Sequence, residues 1–410
     1  MKKFTILFLM LLVAVAPTMA QDEGITVWLT GSDTDTAILQ AASEAWTAES
    51  GIAVTVEALP WSDRTTRALA AISAGEGADI FIGGLTEEIL LGAEGGLVAL
   101  DEAFGDELTA VHEASYERMV TAIVGYDAPV YAVPYSQDTY LMYYYTPALE
   151  AAGVEVPTTW DEMTTVLSAL GEAELGSGGY GWGNRGWLSF HNYLLQAGGS
   201  WYAEDCSAAA VNSDEGLVAL EYYTMLFEEY GFPAEQADPG PDFAAGERSL
   251  VISGQWHASG IDASFPELEG DWGVAPLPTG PGDANTAFIG GRAAGIFDFS
   301  ENQDVAWDFL QWLSTPEAGE LLTVATWEQG GIYLPPYTAS YEFIQGGDAF
   351  NEAVSTQLAD AAGPPNCPGW EESQSAMNLI IEEVLAGADF EDALADMEDT
   401  LNEALAATDA

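Results

Sequence analysis

Residues 130–163 are VYAVPYSQDTYLMYYYTPALEAAGVEVPTTWDEM, a segment whose pattern changes from strand to helix. Apolar side chains alternate at residues 130–133 and 140–144, which predicts two strands because successive side chains of a strand face opposite ways. Between these strands Pro134 lacks a backbone donor and residues 136–138 are polar, so a short irregular segment is expected. The pattern therefore predicts a passage of the chain from one lobe into another.

Two helices are predicted directly after the second strand. Pro147 fits the first turn of a helix with the sequence PALEAAG, and Gly153 is suited to end it. The next segment, residues 157–162 (PTTWDE), offers a threonine as helix cap and acids for the first turn. The second of these helices is interpreted as scaffold rather than as part of a site.

The first twenty residues have the pattern of a secretory signal peptide. Lys2 and Lys3 precede an apolar run at residues 4–16, and small residues lead to Ala20, the predicted cleavage site. A membrane anchor is the alternative, but an apolar run of about 13 residues falls short of the roughly 20 that a spanning helix needs. No cysteine follows the cleavage site, so no lipid anchor is expected. The mature protein is predicted to be soluble and periplasmic or secreted.

The length of the chain predicts more than one domain. The chain has 410 residues, of which 48% are hydrophobic. This length exceeds what a single hydrophobic core usually organises, and the composition is that of a globular protein. Two domains are therefore expected.

The charge balance is strongly acidic. The chain has 66 acidic residues and a formal charge of −58; both lysines lie in the predicted signal peptide, so the mature chain keeps six arginines and a charge of −60. Such a surface repels nucleic acids and anionic membranes, and it argues against a phosphate or sulfate ligand, although backbone donors alone can hold an anion. It could be a cation-binding surface or a solvated acidic coat suited to a saline or acidic medium. The acids are spread along the chain, which favours the coat.

Only two cysteines occur, Cys206 and Cys367. An even number in an exported chain is compatible with one disulfide, and the loop-like flanks would leave both thiols accessible. The sequence leaves the pairing open. No metal site is expected, because none of the three histidines, His112, His191 and His257, lies at ligand spacing to a cysteine.

The N-terminal part of the chain alternates strands with helices. Strands are predicted at residues 25–29, 52–59 and 78–82, each followed by a helix. This alternation predicts an α/β fold with a parallel, doubly wound sheet, in which ligands bind beyond the carboxyl ends of the strands. Residues that follow the first and third strands should therefore lie at the mouth of a site. Those chosen as candidates are Thr30, Asp33 and Gly83.

The rest of the chain carries further predicted elements. Strands are expected at residues 250–253, 272–278 and 287–299, the last with a break at Gly290-Gly291. Helices are expected at residues 213–230, 304–313, 371–386 and 390–407. The flexible segment 279–285 is a candidate for a second crossing between lobes, and residues 330–336 for a third.

Several segments, taken in order, resemble one protein family. An exported β/α lobe is followed by VPYSQDTYLMYYYTPALEAAGVEVPTTWDEM, FAAGERSLVISGQW, WGVAPLPTG, FIGGRAAGIFDFSENQDVAWDFLQWLSTPEAG and a two-helix tail. In this order they resemble the extracellular solute-binding proteins of family 1, the sugar-binding components of ABC importers related to maltose-binding protein. The resemblance covers essentially the whole mature chain, although no single motif decides it.

The resemblance implies the type II periplasmic-binding-protein fold, in which two α/β lobes, each a sheet flanked by helices, close over a ligand by a hinge motion. Lobe one would comprise residues 21–134 and 285–334, and lobe two residues 135–284 and 335–410. The implied partners are a mono- or oligosaccharide and the membrane permease of an ABC transporter. The protein would act as a monomer without a cofactor and would bind no nucleic acid.

A sugar site needs aromatic rings for the C–H faces of a pyranose and planar polar groups for its hydroxyls. Trp256, directly after a predicted strand, is the first choice for a stacking ring, unless it is a core residue. Asp138 would accept hydrogen bonds from sugar hydroxyls, or it caps a turn. Gly290 and Gly291 would let backbone amides approach the ligand, or they form a simple bulge.

Four further residues are candidates for the cleft. Arg292 is one of six arginines in the mature chain and either donates to hydroxyls or pairs with a neighbouring acid. Trp187, Trp327 and Trp370 lie in matching loop regions, where they line the cleft or belong to the core. The resemblance does not choose between these roles.

No catalytic motif stands out. The sequence has no Gly-x-Ser-x-Gly elbow, P-loop or Cys/His pairing, and nothing marks out two carboxylates for glycoside hydrolysis. A binding protein rather than an enzyme is therefore predicted. Two alternatives stay open: the same fold could bind a polyamine or another cation through aromatic rings and acids, or the protein could be a surface scaffold that binds no small molecule.

Overall fold

The structure, a computed structural model, describes residues 24–183 and 185–408. The predicted signal peptide and its cleavage site after Ala20 lie outside these residues. Within the two described ranges, no helix is both long enough and apolar enough to cross a membrane.

The described residues form a nine-stranded sheet flanked by helices. The strands in chain order are β1 (Ile25–Thr30), β2 (Val54–Leu59), β3 (Ile80–Gly83), β4 (Val133–Tyr145), β5 (Ser177–Tyr180), β6 (Arg248–Gly254), β7 (Trp272–Ala275), β8 (Ala287–Ile296) and β9 (Ala361–Ala362). Across the sheet their order is β2-β1-β3-β8-β4-β6-β5, with β7 paired to β4 and β9 to β8. The α/β class predicted from the alternation is confirmed.

Helices cover the sheet on both sides. They are α1 (Asp33–Ser50), α2 (Arg64–Ala74), α3 (Glu87–Ala93), α4 (Leu100–Ala114), α5 (Glu117–Ile123), α6 (Thr146–Ala152), α7 (Trp160–Glu172), α8 (Trp187–Gln196), α9 (Asp214–Glu228), α10 (Pro239–Ala245), α11 (Ala258–Ser264), α12 (Gln303–Leu313), α13 (Pro316–Glu328), α14 (Asp348–Ala359), α15 (Trp370–Leu385) and α16 (Phe390–Thr408). Short 3₁₀ helices occur at Gln255–His257, Pro266–Leu268 and Thr338–Phe343.

The N-terminal strands have the expected parallel arrangement. β1 pairs in parallel with both β2 and β3, so the carboxyl ends of these strands share one edge of the sheet. α1 begins immediately after β1 because the Ser32 hydroxyl accepts from the Asp35 amide while the Asp35 carboxylate accepts from the Ser32 amide. Gly51 ends α1 in the left-handed conformation. Polar residues are thereby held at the edge of the sheet where a ligand is expected.

β4 is one continuous strand, which corrects the expectation of two strands separated by an irregular segment. Residues 130–132 do not belong to a strand. Pro134 lies beside a bulge, where proline is tolerated: it is opposite Ala293, and the register then shifts so that Tyr135 has no partner before Ser136 pairs with Arg292. The Pro134 carbonyl oxygen accepts a hydrogen bond from the Tyr337 hydroxyl. The polar residues that follow Pro134 are therefore fixed in the sheet and not in a loop.

β8 is also continuous, so the predicted break at Gly290-Gly291 is wrong. Gly290 pairs with Asp138 of β4, and Gly291 pairs with Gln137. Gly291 has a φ of 129°, and a Cβ atom at this position would lie 2.0 Å from the Ser136 carbonyl oxygen. Only glycine therefore allows the two strands to approach this closely.

The segment 279–285 is not a free link between lobes. The Gly282 amide donates to the Gln196 carbonyl at 2.9 Å, and the Asn285 amide donates to the Asp360 carboxylate at 3.2 Å. The chain instead runs from one end of the sheet to the other along β8, which pairs first with β9, then with β4 and finally with β3.

Apolar side chains form two large cores at the two ends of the sheet. One surrounds β1 and β3 and is closed by α1 and α12, with Trp46 and Phe309 in edge contact at 5.1 Å. The other lies among α7, α8, α9, α15 and α16 and contains Leu194, Tyr223 and Met377. β4 and β8 contribute residues to both cores.

The tyrosines of β4 mainly pack, as expected. Tyr143 is completely buried in a third cluster with Leu141 and Ile289, between the two large cores. Its hydroxyl donates to the Gly254 carbonyl at 2.9 Å. The ring therefore joins β4 to β6 and is not available to a ligand.

A disulfide joins Cys206 to Cys367, whose Cα atoms are 5.5 Å apart. Cys367 lies in the segment just before α15, and Trp370, the first residue of α15, is buried. The Trp370 ring meets the ring of Trp187 edge-on, with centroids 5.1 Å apart. The disulfide therefore anchors the segment that leads into α15.

Candidate ligand-binding cleft

A cavity of about 600 Å³ lies where the segment after β3 faces the start of α15. Its volume falls within the roughly 300–1,000 Å³ that is usual for small-molecule sites. Its polar and aromatic wall residues are Asp35, Trp61, Arg64, Thr86, Glu87, Asp138, Thr139, Tyr140, Trp182, Trp187, Trp256, Phe288, Arg292, Thr326, Glu371 and Gln374. Gly84, Gly290, Gly291 and Gly331 also contribute to the wall.

The wall on the β1–β3 side is built around an exposed indole. Trp61 is 41% exposed and lies in the turn before α2. The Arg64 guanidinium lies over its ring, 4.8 Å from the centroid, and forms an ion pair with Glu87, Nε to Oε2 2.7 Å. The Gly84 amide donates to the same Glu87 oxygen at 2.7 Å. This network holds the indole at the cavity and neutralises Arg64.

Arg292 of β8 also lies close to this indole. Its guanidinium carbon is 5.4 Å from the Trp61 centroid, and its Nε donates to the Thr30 carbonyl at 2.7 Å. Its Nη2 lies 3.8 Å from the nearer carboxylate oxygen of Asp35. Two of the six arginines of the chain therefore meet at Trp61, although the protein as a whole is strongly acidic.

Asp138 presents a partly buried carboxyl group at the base of the cavity. Gln255 donates from Nε2 to Asp138 Oδ1 at 2.7 Å, while Gln255 Oε1 accepts from the Thr139 amide at 2.9 Å. Burial raises the pKa of Asp138, and the nearby Arg292 charge and the Gln255 hydrogen bond lower it. The carboxyl group is therefore held in one orientation, which suits an acceptor of hydrogen bonds.

The opposite wall carries two further indoles. Trp182 and Trp256 meet edge-to-face, with centroids 6.2 Å apart and ring planes at 89°. Trp182 is 47% exposed, and its carbonyl accepts from the Tyr140 hydroxyl at 2.9 Å. The Trp256 ring lies so close to Gly254 that a Cβ there would be 2.0 Å from it. Gly254 therefore sets the position of the Trp256 ring.

The first turn of α15 joins the two walls of the cavity. The Thr86 hydroxyl donates to Glu371 Oε1, and Gln374 Nε2 donates to the same oxygen at 2.8 Å. Burial raises the pKa of Glu371, the Thr86 hydrogen bond opposes this shift, and the charge of Glu87 adds to it. Polar side chains from both sides of the cavity thus meet at one point.

This geometry matches a known family. Residues 30–320 match the family described as bacterial extracellular solute-binding protein. The chain belongs to this family. The resemblance recognised in the sequence segments is thereby confirmed, and the family consists of binding proteins, which fits a binding role for this solute-binding protein rather than a catalytic one.

Individual relatives support the assignment over most of their length. The diacetylchitobiose-binding protein DasA of Streptomyces coelicolor is 25% identical over 397 residues, 94% of this chain and 90% of that protein. The cyclic α-maltosyl-1,6-maltose-binding protein of Arthrobacter globiformis is 28% identical with a TM-score of 0.76, covering 93% of this chain and 98% of that one. The sugar-binding protein MalE of Xanthomonas citri is 22% identical with a TM-score of 0.81, covering 94% and 98%. The predicted two-lobed fold is confirmed.

The structure of the solute-binding protein brings six of the candidate residues to the cavity. They are Asp138, Trp187, Trp256, Gly290, Gly291 and Arg292. Among them Trp187 is only 9% exposed, and its ring packs edge-on against Phe288 as well as Trp370. Trp187 therefore supports the wall more than it offers a surface to a ligand.

Five other candidates do not line this cavity, and one of them, Trp370, is a buried core residue. Thr30 is buried in β1, and its carbonyl accepts a hydrogen bond from Arg292. Asp33 is the first residue of α1, and Asp35 of the same helix lines the cavity instead. Gly83 is the last residue of β3, and its neighbour Gly84 lines the wall instead. Trp327 is 38% exposed on α13, and its neighbour Thr326 reaches the cavity.

Sequence reasoning missed part of the wall. The missed residues that carry polar or aromatic groups include Trp61, Arg64, Trp182, Glu371 and Gln374. A usable signal existed for Trp61 and Arg64, because the polar WSDR segment directly follows β2 at the ligand-binding edge of a parallel sheet. Trp182 lies in the GYGWG segment, whose density of glycine and tryptophan is a second such signal.

Behind the wall lies a neutral histidine with a testable pH signature. His191 is buried, its Nδ1 accepts from Trp201 Nε1 at 2.9 Å, and its ring packs edge-on against Trp187. Burial lowers the pKa of His191 to about 4. An unfolded histidine titrates near 6.5, so between these values the unfolded state binds more protons and the free energy of unfolding falls as the pH falls.

We expect this histidine to cost about 1.5–2 kcal/mol of stability between pH 7 and pH 5. His191→Gln keeps an acceptor for Trp201 but does not titrate. Urea unfolding at several pH values should therefore show a smaller loss in the variant, by that amount, whatever its stability at pH 7. Parallel pH profiles for wild type and variant would contradict a neutral, buried His191.

Proposed function

We propose that the protein captures a sugar, as a mono- or oligosaccharide, in this cavity, closes over it by a hinge motion and delivers it to an ABC transporter permease. The single observation that carries the proposal is the presence of three indoles, of Trp61, Trp182 and Trp256, at a cavity whose arginines are already paired. The same proposal includes export of the protein, a mature N-terminal region without a lipid anchor, and action as a monomer.

Aromatic rings match the weakly polar C–H faces of pyranoses. Trp61 lies on one wall, and Trp182 with Trp256 lies on the other, so a ligand between the walls can contact rings on both sides. The proteins that resemble this chain include binders of diacetylchitobiose and of a cyclic maltosyl-maltose. These ligands are neutral carbohydrates, which supports a carbohydrate here.

Hydroxyl groups need donors and acceptors in fixed orientations. Asp138 is oriented by Gln255, and Glu371 is oriented by Thr86 and Gln374. Such held groups discriminate between hydroxyl patterns, because a mismatch leaves a buried polar group without a partner. The backbone at Gly290 and Gly291 is accessible at the same cavity.

The lobe boundaries are part of the proposal. A boundary near residue 134 is supported by the cores, since Val133 packs in one large core and Tyr140 in the other. Ala287 packs in the same core as Tyr140 and Ala294 in the same core as Val133, which favours a second crossing within β8, later than residue 284. The boundary near residue 334 stays a prediction. A hinge within β4 and β8 would then lie directly beside Asp138 and Gly290.

A polyamine or another cation is the second ligand class. Asp138, Glu87 and Glu371 would attract it, and the indoles could contact it through their faces. Arg64 and Arg292 lie at the same cavity and already pair with Glu87 and Asp35, so these two carboxylates are less available to a cation. The arrangement therefore favours a neutral polyhydroxyl ligand.

A thermal-shift panel tests the proposal. A ligand that binds only the folded state adds about 2.7 kcal/mol at 100 times its Kd, so the right sugar should raise Tm by several degrees. The panel contains mono- and oligosaccharides, with putrescine and spermidine as cations. A shift with the polyamines alone would replace the sugar by a cation, and no shift with any compound would support a scaffold that binds no small molecule.

A further inference from the structure

A second, smaller cavity adjoins the proposed sugar site. Its volume is about 50 Å³, and Asp35, Asp138 and Arg292 line both it and the large cavity. A cavity that holds one water needs about 10–15 Å³, so this one has room for a substituent of a ligand but not for a sugar ring. It lies next to Tyr135 of β4 and Leu29 of β1.

The small cavity contains a buried polar group without a partner. Ser136 lines it and is 3% exposed, and its hydroxyl has no hydrogen-bond partner in the described part of the protein. An unpaired buried hydroxyl costs free energy that a polar guest would recover. The position of Ser136 is fixed, because its backbone pairs with Arg292 of β8.

The remaining walls have two different characters. Asp35, Asp138 and Arg292 supply carboxylate acceptors and guanidinium donors on the side of the large cavity. The aliphatic side chains around it are Leu29, Ile38, Leu322, Ile332 and Leu334, and of these only Ile332 also lines the large cavity. A guest with one methylene and one hydroxyl satisfies both sets of walls.

We propose that the small cavity receives the hydroxymethyl group of a hexopyranose held in the large cavity, so that the protein selects hexoses over the corresponding pentoses. This inference rests on the proposed sugar-binding function and adds a specificity determinant, Ser136, to it. The methylene contacts the aliphatic walls, and the hydroxyl exchanges hydrogen bonds with Ser136 and the adjoining charged groups. A pentopyranose has no atoms to place there and would leave the Ser136 hydroxyl unpaired.

The test compares sugars that differ only in the hydroxymethyl group, which the disaccharide pair gains or loses on both rings. The pairs are D-glucose with D-xylose, D-galactose with L-arabinose, and cellobiose with xylobiose, measured by isothermal titration calorimetry. Wild type should bind the hexose member of the recognised pair at least about 10-fold more tightly than its pentose twin, which is the scale of a buried hydroxyl losing its partner.

Two substitutions separate size from polarity. Ser136→Val fills part of the cavity and suits a strand, so the preference should fall to within about 2-fold while pentose affinity is unchanged. Ser136→Ala removes only the hydroxyl and should reduce the preference by about 3- to 10-fold. Ser253→Ala is the matched control: its hydroxyl is also buried without a partner, on β6, but Ser253 lines neither cavity.

The possible outcomes are distinct. If wild type binds every hexose and its corresponding pentose equally, or if the preference persists in Ser136→Val, the proposed role of the small cavity is overturned and sugar binding is left intact. If the protein binds none of the six sugars and no sugar in the thermal-shift panel, the proposed function is overturned, and the role of the small cavity falls with it. A preference lost in Ser136→Val and kept in Ser253→Ala supports the assignment of Ser136.

Discussion

Replacing Trp256 with alanine should weaken sugar binding by about 1–3 kcal/mol, which is roughly 5- to 150-fold in Kd. The indole lies at the cavity, is braced edge-to-face by Trp182 and is positioned by its close contact with Gly254. Removing it takes away the apolar surface on which a pyranose would stack. Calorimetric titration with the sugar identified by thermal shift gives the Kd directly.

Trp327→Ala is the control for this prediction. Trp327 is an exposed tryptophan near the cavity that does not line it, so its removal should leave the Kd within about 2-fold of wild type, the small effect expected of a surface site. Equal losses in both variants would mean that the ligand extends to α13. An unchanged Kd in Trp256→Ala would make Trp256 a wall residue without a part in binding.

Removing the disulfide should lower the free energy of unfolding by about 2–5 kcal/mol. Cys206 and Cys367 are 161 residues apart in sequence, and a crosslink that closes a long loop restricts the unfolded chain more than a short one does. The double variant Cys206→Ser/Cys367→Ser, compared with wild type by urea unfolding, measures the effect. Reduced wild-type protein should behave like the double variant.

The same variant should also bind sugar more weakly. Cys367 precedes α15, whose first turn supplies Glu371 and Gln374 to the cavity. Without the crosslink this turn is held only by non-covalent contacts, such as the packing of Trp370 on Trp201. Stability and affinity that both match wild type in the double variant would show that packing alone fixes this segment.

Local signals in the sequence predicted the elements that depend on local physics. Gly153 ends α6 in the left-handed conformation, with φ 71°, and Thr159 caps α7 by accepting from the Glu162 amide, both as expected from their residue types. The alternation of strands and helices correctly gave the parallel N-terminal sheet. Family recognition rested on the order of several such segments.

Local signals did not predict the features that depend on contacts with residues distant in the sequence. The polar residues after Pro134 look like a loop in isolation, and only pairing with β8, more than 100 residues later, makes them part of a strand. A helix was expected after the second strand, but α2 begins only at Arg64, and the preceding turn exposes the Trp61 indole. Local propensity cannot anticipate either outcome, because tertiary contacts decide both.

The candidate site shows the same division. Trp256 follows a predicted strand and Trp327 lies in a predicted loop region, and nothing in their neighbouring residues separates a tryptophan at the cavity from one on the outer surface. Gly290, Gly291 and Arg292 were found because family resemblance supplies long-range information that propensities lack. The small cavity next to Ser136 could not be predicted from the sequence, because it is a space between elements that only the folded structure brings together.

The antiparallel pairing of β3 with β8 has a consequence for the time at which the protein can fold. Ile80 of β3 pairs with Ile296 of β8, so the partner of this buried strand leaves the ribosome roughly 200 residues later. Until then one edge of the N-terminal sheet lacks its neighbour, and an unpaired apolar edge is open to wrong pairing. The sheet around β3 therefore cannot be completed in a nascent fragment that lacks β8, so this part of the chain folds late.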